Sequence, residues 1–508
     1  MTFLNFIISL TNVSALHWLI MAPCFATIFI SFIPKHYTIL IKKISLIFSL
    51  IIFAFSLYFF IFFDLNNSHY QWFSTLSYWN SIYYTIGIDG ISLFFVILST
   101  FLIFVCLLVN WESVKFRVKE YTLLLFVLEF FLLNVFVSLD LLFFYISFEA
   151  VLIPMFLIIG FWGSRERKIH AAFQFFLYTF IGSVFMLVAI YFIYLHVGST
   201  NVEIISTATF SKNRELFLWL AFFIALGVKV PMFPVHLWLP EAHVEAPTSG
   251  SILLAGILLK LGTYGFLRFL LPLFPYGLIY FTPLVFTIAL ISIIYGSFAT
   301  IRQIDLKKMI AYSSIVHMNF ALLGLFTNDI EGIQGSLYIM LSHGIVSSAL
   351  FLCIGILYDK YKTRLITYYG GLVNFMPLFS FFFLSFILSN LGFPGTSSFV
   401  GEILVLISIV GYNFKIAIFA AFSMVLSAVY SLWLYNRVIF GELRLFGTTY
   451  KINNTNYFFY TYWFYKFADL TKREFILLFF FFIFNMLFGI YPSLILNCTY
   501  ISSLKLLI

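Results

Sequence analysis

The chain has 508 residues, of which 63% are hydrophobic and only 9% are charged, and its formal net charge is +8. Soluble domains carry about 25% charged residues, so this composition excludes a water-soluble fold and indicates a membrane protein. The positive charge does not predict a nucleic-acid partner. Lys and Arg lie mostly in short loops, such as Arg165, Arg167 and Lys168, where membrane topology requires them.

Apolar runs of about 20 residues, the length that crosses a bilayer as a helix, recur along the chain. They predict fourteen spans, at approximately 16–33, 40–63, 86–109, 121–139, 140–162, 171–197, 214–239, 247–271, 277–299, 308–326, 335–358, 373–411 (broken), 414–440 and 474–496. These runs are longer than the alternating segments of about 10 residues that build a membrane β-barrel. We therefore predict an all-α polytopic membrane protein.

Two of the apolar runs are interrupted next to a charged residue. Lys229 lies at the end of an apolar stretch, just before Pro231 and Pro234, and Glu402 follows a second break at residues 392–395. A charge at the bilayer centre costs roughly 2.5–3.5 kcal/mol, so such residues are functional candidates. Broken helices in matching positions of two halves point to an ion site in transporters. The pattern predicts a protein that moves protons.

The two breaks belong to a weak internal repeat. Spans four to eight and nine to thirteen each contain a broken helix late in the set, and an odd number of spans per copy would invert the second copy relative to the first. We predict N-terminal transmembrane helices in residues 1–120, repeats in 121–271 and 277–440, and a polar loop and last helix in 441–508. All belong to one membrane domain. The loop 441–473 is predicted to include an interfacial helix.

Six residues fall near the middles of predicted spans, namely Glu149, Lys229, Lys260, His317, His343 and Glu402. The four fully charged ones together would cost roughly 10–14 kcal/mol, so they must pair. Glu149 with Lys229 and Lys260 with Glu402 are possible pairs, although the sequence leaves the partners open. The alternative is that the pairs only lock helices together, but buried ion pairs stabilise proteins poorly. We predict proton transfer, with the histidines as relays because they titrate near neutral pH.

Other polar residues are secondary candidates. Glu129 is central in span four, and Asp140 lies at a tight turn between spans. His236 and His243 flank the first break and mark either a proton inlet or a wet loop, of which the loop is favoured. Lys307 and its neighbours are interpreted as interfacial residues.

No cofactor or metal site is predicted. The four cysteines, at 24, 106, 353 and 498, are far apart and form no C-x-x-C cluster, and Gly-rich phosphate loops are absent from the sequence. The 71 phenylalanines indicate an A+T-rich genome, such as that of an organelle. No charged residue precedes Lys35, so neither a signal peptide nor an import peptide is expected.

Four stretches resemble the M-type antiporter-like membrane subunits of respiratory complex I. They are KVPMFPVHLWLPEAHVEAPTSGSILLAGILLKLGTYGFLR from Lys229, DLLFFYISFEAVLIPMFLIIGFW from Asp140, RQIDLKKMIAYSSIVHMNF from Arg302 and FPGTSSFVGE from Phe393. The resemblance covers roughly residues 85–440. It implies fourteen helices with twofold inverted symmetry, and all eight candidate residues match the family's hydrophilic axis. Lys260 together with Glu402 is typical of the M-type, and Ile304 departs from the family pattern.

The resemblance implies a proton-translocating subunit of NADH:ubiquinone reductase. FMN, iron–sulfur clusters, NADH and ubiquinone would be bound by other subunits, and partners would include sister antiporter-like subunits and membrane lipids. The expected location is the mitochondrial inner membrane, with a bacterial plasma membrane as the alternative. A multi-subunit cation/proton antiporter complex is the rival function, and a purely structural membrane spacer is a third possibility.

Overall fold

The computed structural model describes residues 15–79, 82–442 and 468–507. Within these ranges, eleven helices are long and apolar enough to cross a membrane. Three shorter apolar helices accompany them. A largely helical, polytopic membrane protein is therefore confirmed, whereas the count of fourteen spans and the inverted repeats stay predictions.

The helices follow one another with short connections. In chain order they are α1 (Ala15–Phe32), α2 (Thr38–Ile61), α3 (Gly90–Ser113), α4 (Val118–Val137), α5 (Leu141–Trp162), α6 (Lys168–Val197), α7 (Val202–Ser206), α8 (Lys212–Lys229), α9 (Trp238–Glu245), α10 (Thr248–Leu273), α11 (Pro275–Ile301), α12 (Leu306–Leu325), α13 (Ile330–Tyr361), α14 (Pro377–Asn390), α15 (Ser397–Tyr412), α16 (Phe414–Ile439), α17 (Lys472–Ile490) and α18 (Ser493–Leu507). Two 3-10 turns, Ile366–Tyr368 and Leu372–Asn374, lie between α13 and α14.

A β-hairpin precedes α3, which corrects the all-helical prediction. Its strands, β1 (Gln71–Trp79) and β2 (Ile82–Ile88), pair in antiparallel register. The predicted start of span three at residue 86 is therefore wrong. Aromatic and β-branched residues favour a strand in this segment, and the helix begins only after Asp89, which forms a capping box with Ser92.

The C-terminal end also differs from the prediction. The last span was expected at 474–496, but α17 ends at Ile490 and a separate helix, α18, begins at Ser493. Pro492 lies between them, and proline interrupts a helix because it lacks the amide hydrogen. The predicted interfacial helix of the loop 441–473 lies largely outside the described residues.

Lysines near the starts of α2, α4 and α6 close one end of the bundle. The Lys42 ammonium donates to the carbonyl of Trp111 at 2.6 Å, and Lys119 donates to that of Ser31 at 2.6 Å. Lys168 donates in the same way to the carbonyl of Phe161, near the end of α5, at 2.9 Å. The last carbonyls of a helix have no partner within the helix and carry partial negative charge. The lysines near the starts of these helices therefore satisfy the C-termini of neighbouring helices at this end, which we call the basic face.

Helices α10 and α13 form the centre of the bundle. The most apolar windows of these two helices are completely buried, whereas those of α2 and α17 are mostly exposed to the surroundings. Two of the candidate residues, Lys260 and His343, lie on these central helices. The fold thus places their polar groups where only other protein groups can meet them.

A buried ion pair holds the C-terminal part of α10 in place. The Arg268 guanidinium donates to both carboxylate oxygens of Asp89, each at 2.8 Å, and thereby joins α10 to the start of α3. Burial alone would raise the pKa of the Asp89 carboxyl, but the Arg268 charge and hydrogen bonds hold it below its ordinary value. The stabilisation by this pair is present above the unfolded pKa of about 3.9. It is lost as the pH falls through the lower folded value.

Asp89→Asn is expected to lower the thermal stability of the assembled protein strongly, because it leaves the Arg268 charge buried without a counter-charge. Breaking a buried pair from one side costs about 3–5 kcal/mol. The double variant Asp89→Asn/Arg268→Met should recover part of the loss. Melting of the purified complex measures both, and a single variant that melts like the parent would show that the pair contributes little.

Candidate proton-transfer site

Four of the predicted residues, carried by α10, α13, α12 and α15, form a continuous series of contacts inside the bundle. The Lys260 ammonium lies 2.7 Å from Nδ1 of His343. The rings of His343 and His317 have centroids 5.7 Å apart. Nδ1 of His317 lies 3.5 Å from Oε1 of Glu402. The direct pair of Lys260 with Glu402, one possibility left by the sequence, is not formed because two histidines lie between them.

The helix that carries Lys260 has an irregular backbone. Two π-helical stretches, Leu254–Leu258 and Phe266–Leu270, flank the short α-helical segment around this lysine. The fully buried ammonium donates at 2.5 Å to the carbonyl of Ala255, which belongs to the first stretch. Single π-turns in helices occur frequently at functional sites. Here the stretch supplies an oxygen that holds the lysine without a counter-charge.

Lys229 and Glu149 lie near each other in the first half of the bundle. Lys229 is the last residue of α8, and its ammonium lies 4.2 Å from the ring centroid of Phe148. The two charges interact electrostatically, but among the described residues Glu149 forms no ion pair within 4.0 Å. Oε1 of Glu149 is buried without a hydrogen-bond partner in the described part of the chain. The two residues of this predicted pair therefore lie near each other but do not form a direct ion pair in the described structure.

Both predicted helix breaks are present, and their backbone groups have polar partners. In the first break, between α8 and α9, the amide of Phe233 donates to Ser292 Oγ at 2.8 Å. In the second, between α14 and α15, the amide of Ser397 donates to Oδ1 of Asn485 in α17 at 3.4 Å, and the Asn485 amide group also donates to Ser389 Oγ at 2.6 Å. Irregular backbone at membrane depth is tolerated where the protein satisfies it in this way.

His243 and Lys307 are buried, which corrects two interpretations of the sequence. His243 was read as part of a wet loop, but it lies on α9 with no exposed surface, and its ring stacks on Phe351 at 4.7 Å. Neither ring nitrogen has a partner among the described residues. Lys307, read as interfacial, is 3% exposed and donates to the carbonyl of Ala246 at 2.8 Å. His243 interacts electrostatically with both Lys307 and Lys260.

A cavity of about 620 Å³ is lined by the chain neighbours of these two residues, Val244 and Lys308. Its lining is rich in charge and includes Arg165, Glu241, Glu245, Asp305 and Lys308. The buried Arg364 guanidinium lies about 4 Å from carboxylates of both Glu245 and Asp305. Arg165 comes from the loop between α5 and α6 at the basic face, and Lys308 follows the buried Lys307 in the first turn of α12, so the cavity lies between that face and the surroundings of Lys307.

The two secondary candidates differ in their surroundings. Glu129 is completely buried, and within the described ranges neither carboxylate oxygen has a hydrogen-bond partner. Asp140 caps α5, since it accepts from the amides of Leu142 and Phe143 and from the Thr200 hydroxyl at 2.6 Å. The capping bonds explain Asp140 as a structural residue, whereas nothing in the described structure compensates Glu129.

Metal binding has no support in the described residues. Within 15–79, 82–442 and 468–507, no group of three or more His, Cys, Asp and Glu side chains is arranged to hold a metal ion. The four cysteines of these ranges are free thiols.

Comparison with known proteins first defines the class. The family described as the transmembrane region of NADH:quinone oxidoreductases and Mrp antiporters matches residues 138–427. A chain of the respiratory complex I from Thermus thermophilus with bound NADH superposes with a TM-score of 0.83 and is 27% identical, over 96% of this chain and 99% of that one. A chain of the archaeal membrane-bound sulfane sulfur reductase has the same TM-score at 21% identity, which shows a shared fold.

The curated relatives then identify the family. The chain is 54% identical to the NADH-ubiquinone oxidoreductase chain 4 of Marchantia polymorpha, over 96% of both chains. It is 52% identical to that of Chondrus crispus, over 96% of both, and 51% identical to that of Arabidopsis thaliana, over 95% of both. The chain belongs to the NADH-ubiquinone oxidoreductase chain 4 family.

Proposed function

We propose that this chain, as an antiporter-like subunit of respiratory complex I, carries protons across the membrane along its buried titratable residues. The observation that carries the proposal is the unbroken series of contacts from Lys260 through His343 and His317 to Glu402. Imidazoles can accept a proton on one nitrogen and release it from the other. A lysine, two histidines and a carboxylate in sequence therefore provide donors and acceptors for stepwise transfer.

The proposed inlet is the charged cavity at the basic face. From there, Lys307 and His243 lead inward, and His243 interacts with Lys260 at the start of the central series. The unpartnered nitrogens of His243 are available for a proton or a water molecule. A buried histidine that interacts electrostatically with two lysines, and whose ring nitrogens have no partner among the described residues, supports a relay better than a packing function.

The open pair of Lys229 and Glu149 is the proposed switch. Closing the pair favours the charged lysine, and opening it favours release of the proton. One charge moved across roughly 150–200 mV needs about 3.5–4.6 kcal/mol. A thousandfold change in the proton affinity of a lysine corresponds to about 4 kcal/mol, so making and breaking one such pair is sufficient in energy. NADH oxidation and ubiquinone reduction, with FMN and iron–sulfur clusters, take place in other subunits in this proposal and supply that energy.

The proposed architecture has fourteen spans, with inverted repeats of five helices in residues 121–271 and 277–440. The N-terminal helices of 1–120 and the segment 441–508 complete a single membrane domain. The breaks after α8 and after α14 support the repeats. Because basic loops remain on the side from which a chain is inserted, we place the basic face in the matrix and the protein in the mitochondrial inner membrane.

The proposed partners are the other membrane and peripheral subunits of complex I, with lipid around the exposed apolar surface. A cation/proton antiporter complex is the weaker alternative, since the matched family includes Mrp antiporters but the curated relatives at 51–54% identity are complex I chains. Purification separates the two: a flavin- and iron–sulfur-containing assembly supports complex I, and a small colourless membrane complex supports the antiporter.

Lys229→Ala is expected to abolish or severely reduce proton pumping and quinone-linked NADH oxidation while the complex still assembles. Glu149→Gln should have a similar effect, because an amide keeps the volume but cannot hold the charge. Proton uptake by vesicles, normalised to assembled complex, is the measurement. The exposed Lys43, changed to Ala, is the control for loss of a lysine. Undiminished pumping by the Lys229 variant would reduce this residue to a structural one.

Glu402→Asp should retain partial pumping, because the charge persists on a side chain shorter by one methylene. Glu402→Gln should lose most of it, because an amide does not titrate beside His317. A spacer function predicts the reverse order, since Gln keeps the shape and Asp leaves a small void that costs on the order of 1 kcal/mol. Vesicle pumping of both variants decides, and Gln equal to or better than Asp would remove Glu402 from the path.

His243→Phe should slow pumping by about tenfold or more, at the low end of what general acid–base groups contribute. The new ring can stack on Phe351 in the same way and removes both nitrogens, although it is larger than imidazole by one ring atom. The exposed His170, changed to Phe, is the matched control. If the His243 variant pumps at the parental rate, the inlet does not pass through this residue.

A further inference from the structure

The carboxylate of Glu402 rests directly against the backbone of the second helix break. Gly392 lies in this break with φ of +77°, and a Cβ added to it would overlap Oε2 of Glu402 and lie 3.0 Å from its Cδ. Atoms this close leave no space for a methyl group. The Glu402 side chain therefore occupies the volume that any other residue at 392 would need.

The opposite side of the same carboxylate faces His317. Oε1 of Glu402 lies 3.5 Å from His317 Nδ1, and the residue is only 4% exposed. The helix that carries it packs closely on α13, because a Cβ on Gly401 would lie 2.9 Å from the amide of Ile339. The carboxylate is thus enclosed between an imidazole on one side and a bare Cα on the other.

We infer that Gly392 is a positioning residue for Glu402, whose carboxylate stays within reach of His317 because position 392 has no side chain. A methyl group there has to push the carboxylate out of its place or displace the break itself. Either movement changes the last step of the central series. The inference rests on the proposed function, in which Glu402 exchanges a proton with His317.

A positive φ is the other reason for a glycine, and the same break contains a matched control. Gly395 has φ of +90°, yet a Cβ added to it would meet nothing within 4 Å. Gly392→Ala and Gly395→Ala therefore introduce the same methyl group into the same left-handed backbone region. Only the first also collides with Glu402. The difference between the two variants isolates the contact from the backbone strain.

Vesicle pumping per assembled complex is the experiment. Gly392→Ala should pump at least about fivefold more slowly than Gly395→Ala, a modest part of the range of general acid–base effects. Its pumping should also change its pH dependence, which Gly395→Ala leaves as in the parent. Adding Glu402→Asp to Gly392→Ala should restore assembly or pumping relative to Gly392→Ala alone, because the shorter side chain makes room for the methyl group.

Equal pumping and equal pH profiles for the two alanine variants would overturn the inference. If Gly392→Ala does not assemble, the double variant decides: better assembly supports the contact, and no improvement contradicts it. Glu402→Gln separates this inference from the proposed function. Normal pumping by that variant removes Glu402 from the path altogether. If Glu402→Gln is inactive and the two alanine variants have equal pumping and equal pH profiles, only the positioning by Gly392 is overturned.

Discussion

A bilayer offers buried charges no water, so each charged group in this bundle depends on a partner that the protein supplies. The partners are of two kinds. Arg268 has a full counter-charge in Asp89, with two hydrogen bonds, and this pair joins helices. Among the described residues, Lys260 has a carbonyl and an imidazole as its hydrogen-bond partners and no carboxylate. Full compensation fixes a charge in place, whereas partial compensation by titratable groups leaves it able to move.

Much of the candidate site could be predicted from the sequence, because a charge within a long apolar run is visible without a structure. Both breaks were also visible, as proline and glycine within apolar runs. The order of contacts could not be predicted. Whether Lys260 meets Glu402 or His343 depends on which helices are neighbours, and spacing along the chain contains no such information. The structure places the two histidines of α12 and α13 between them.

The errors have a common physical origin. Lys307 and His243 lie close to loops in the chain, so local polarity suggested wet surroundings, yet neighbouring helices cover both. The hairpin before α3 has a similar explanation. Its second strand is apolar enough to extend a predicted span, and only Asp89 with Ser92 marks the true start of the helix. Burial and strand pairing depend on contacts between segments that are distant in the sequence, and local sequence patterns do not show which segments come into contact.

Helix α10 constrains which substitutions the chain can accept during evolution. Lys260 on this helix holds His343, and Gly262 lies against Lys229, where an added Cβ would come within 3.0 Å of the Lys229 Cβ. One stretch of three residues is thus a common wall of both charge systems. A substitution that suits one half alters the other as well. Substitutions along this wall are therefore constrained by both charge systems at once.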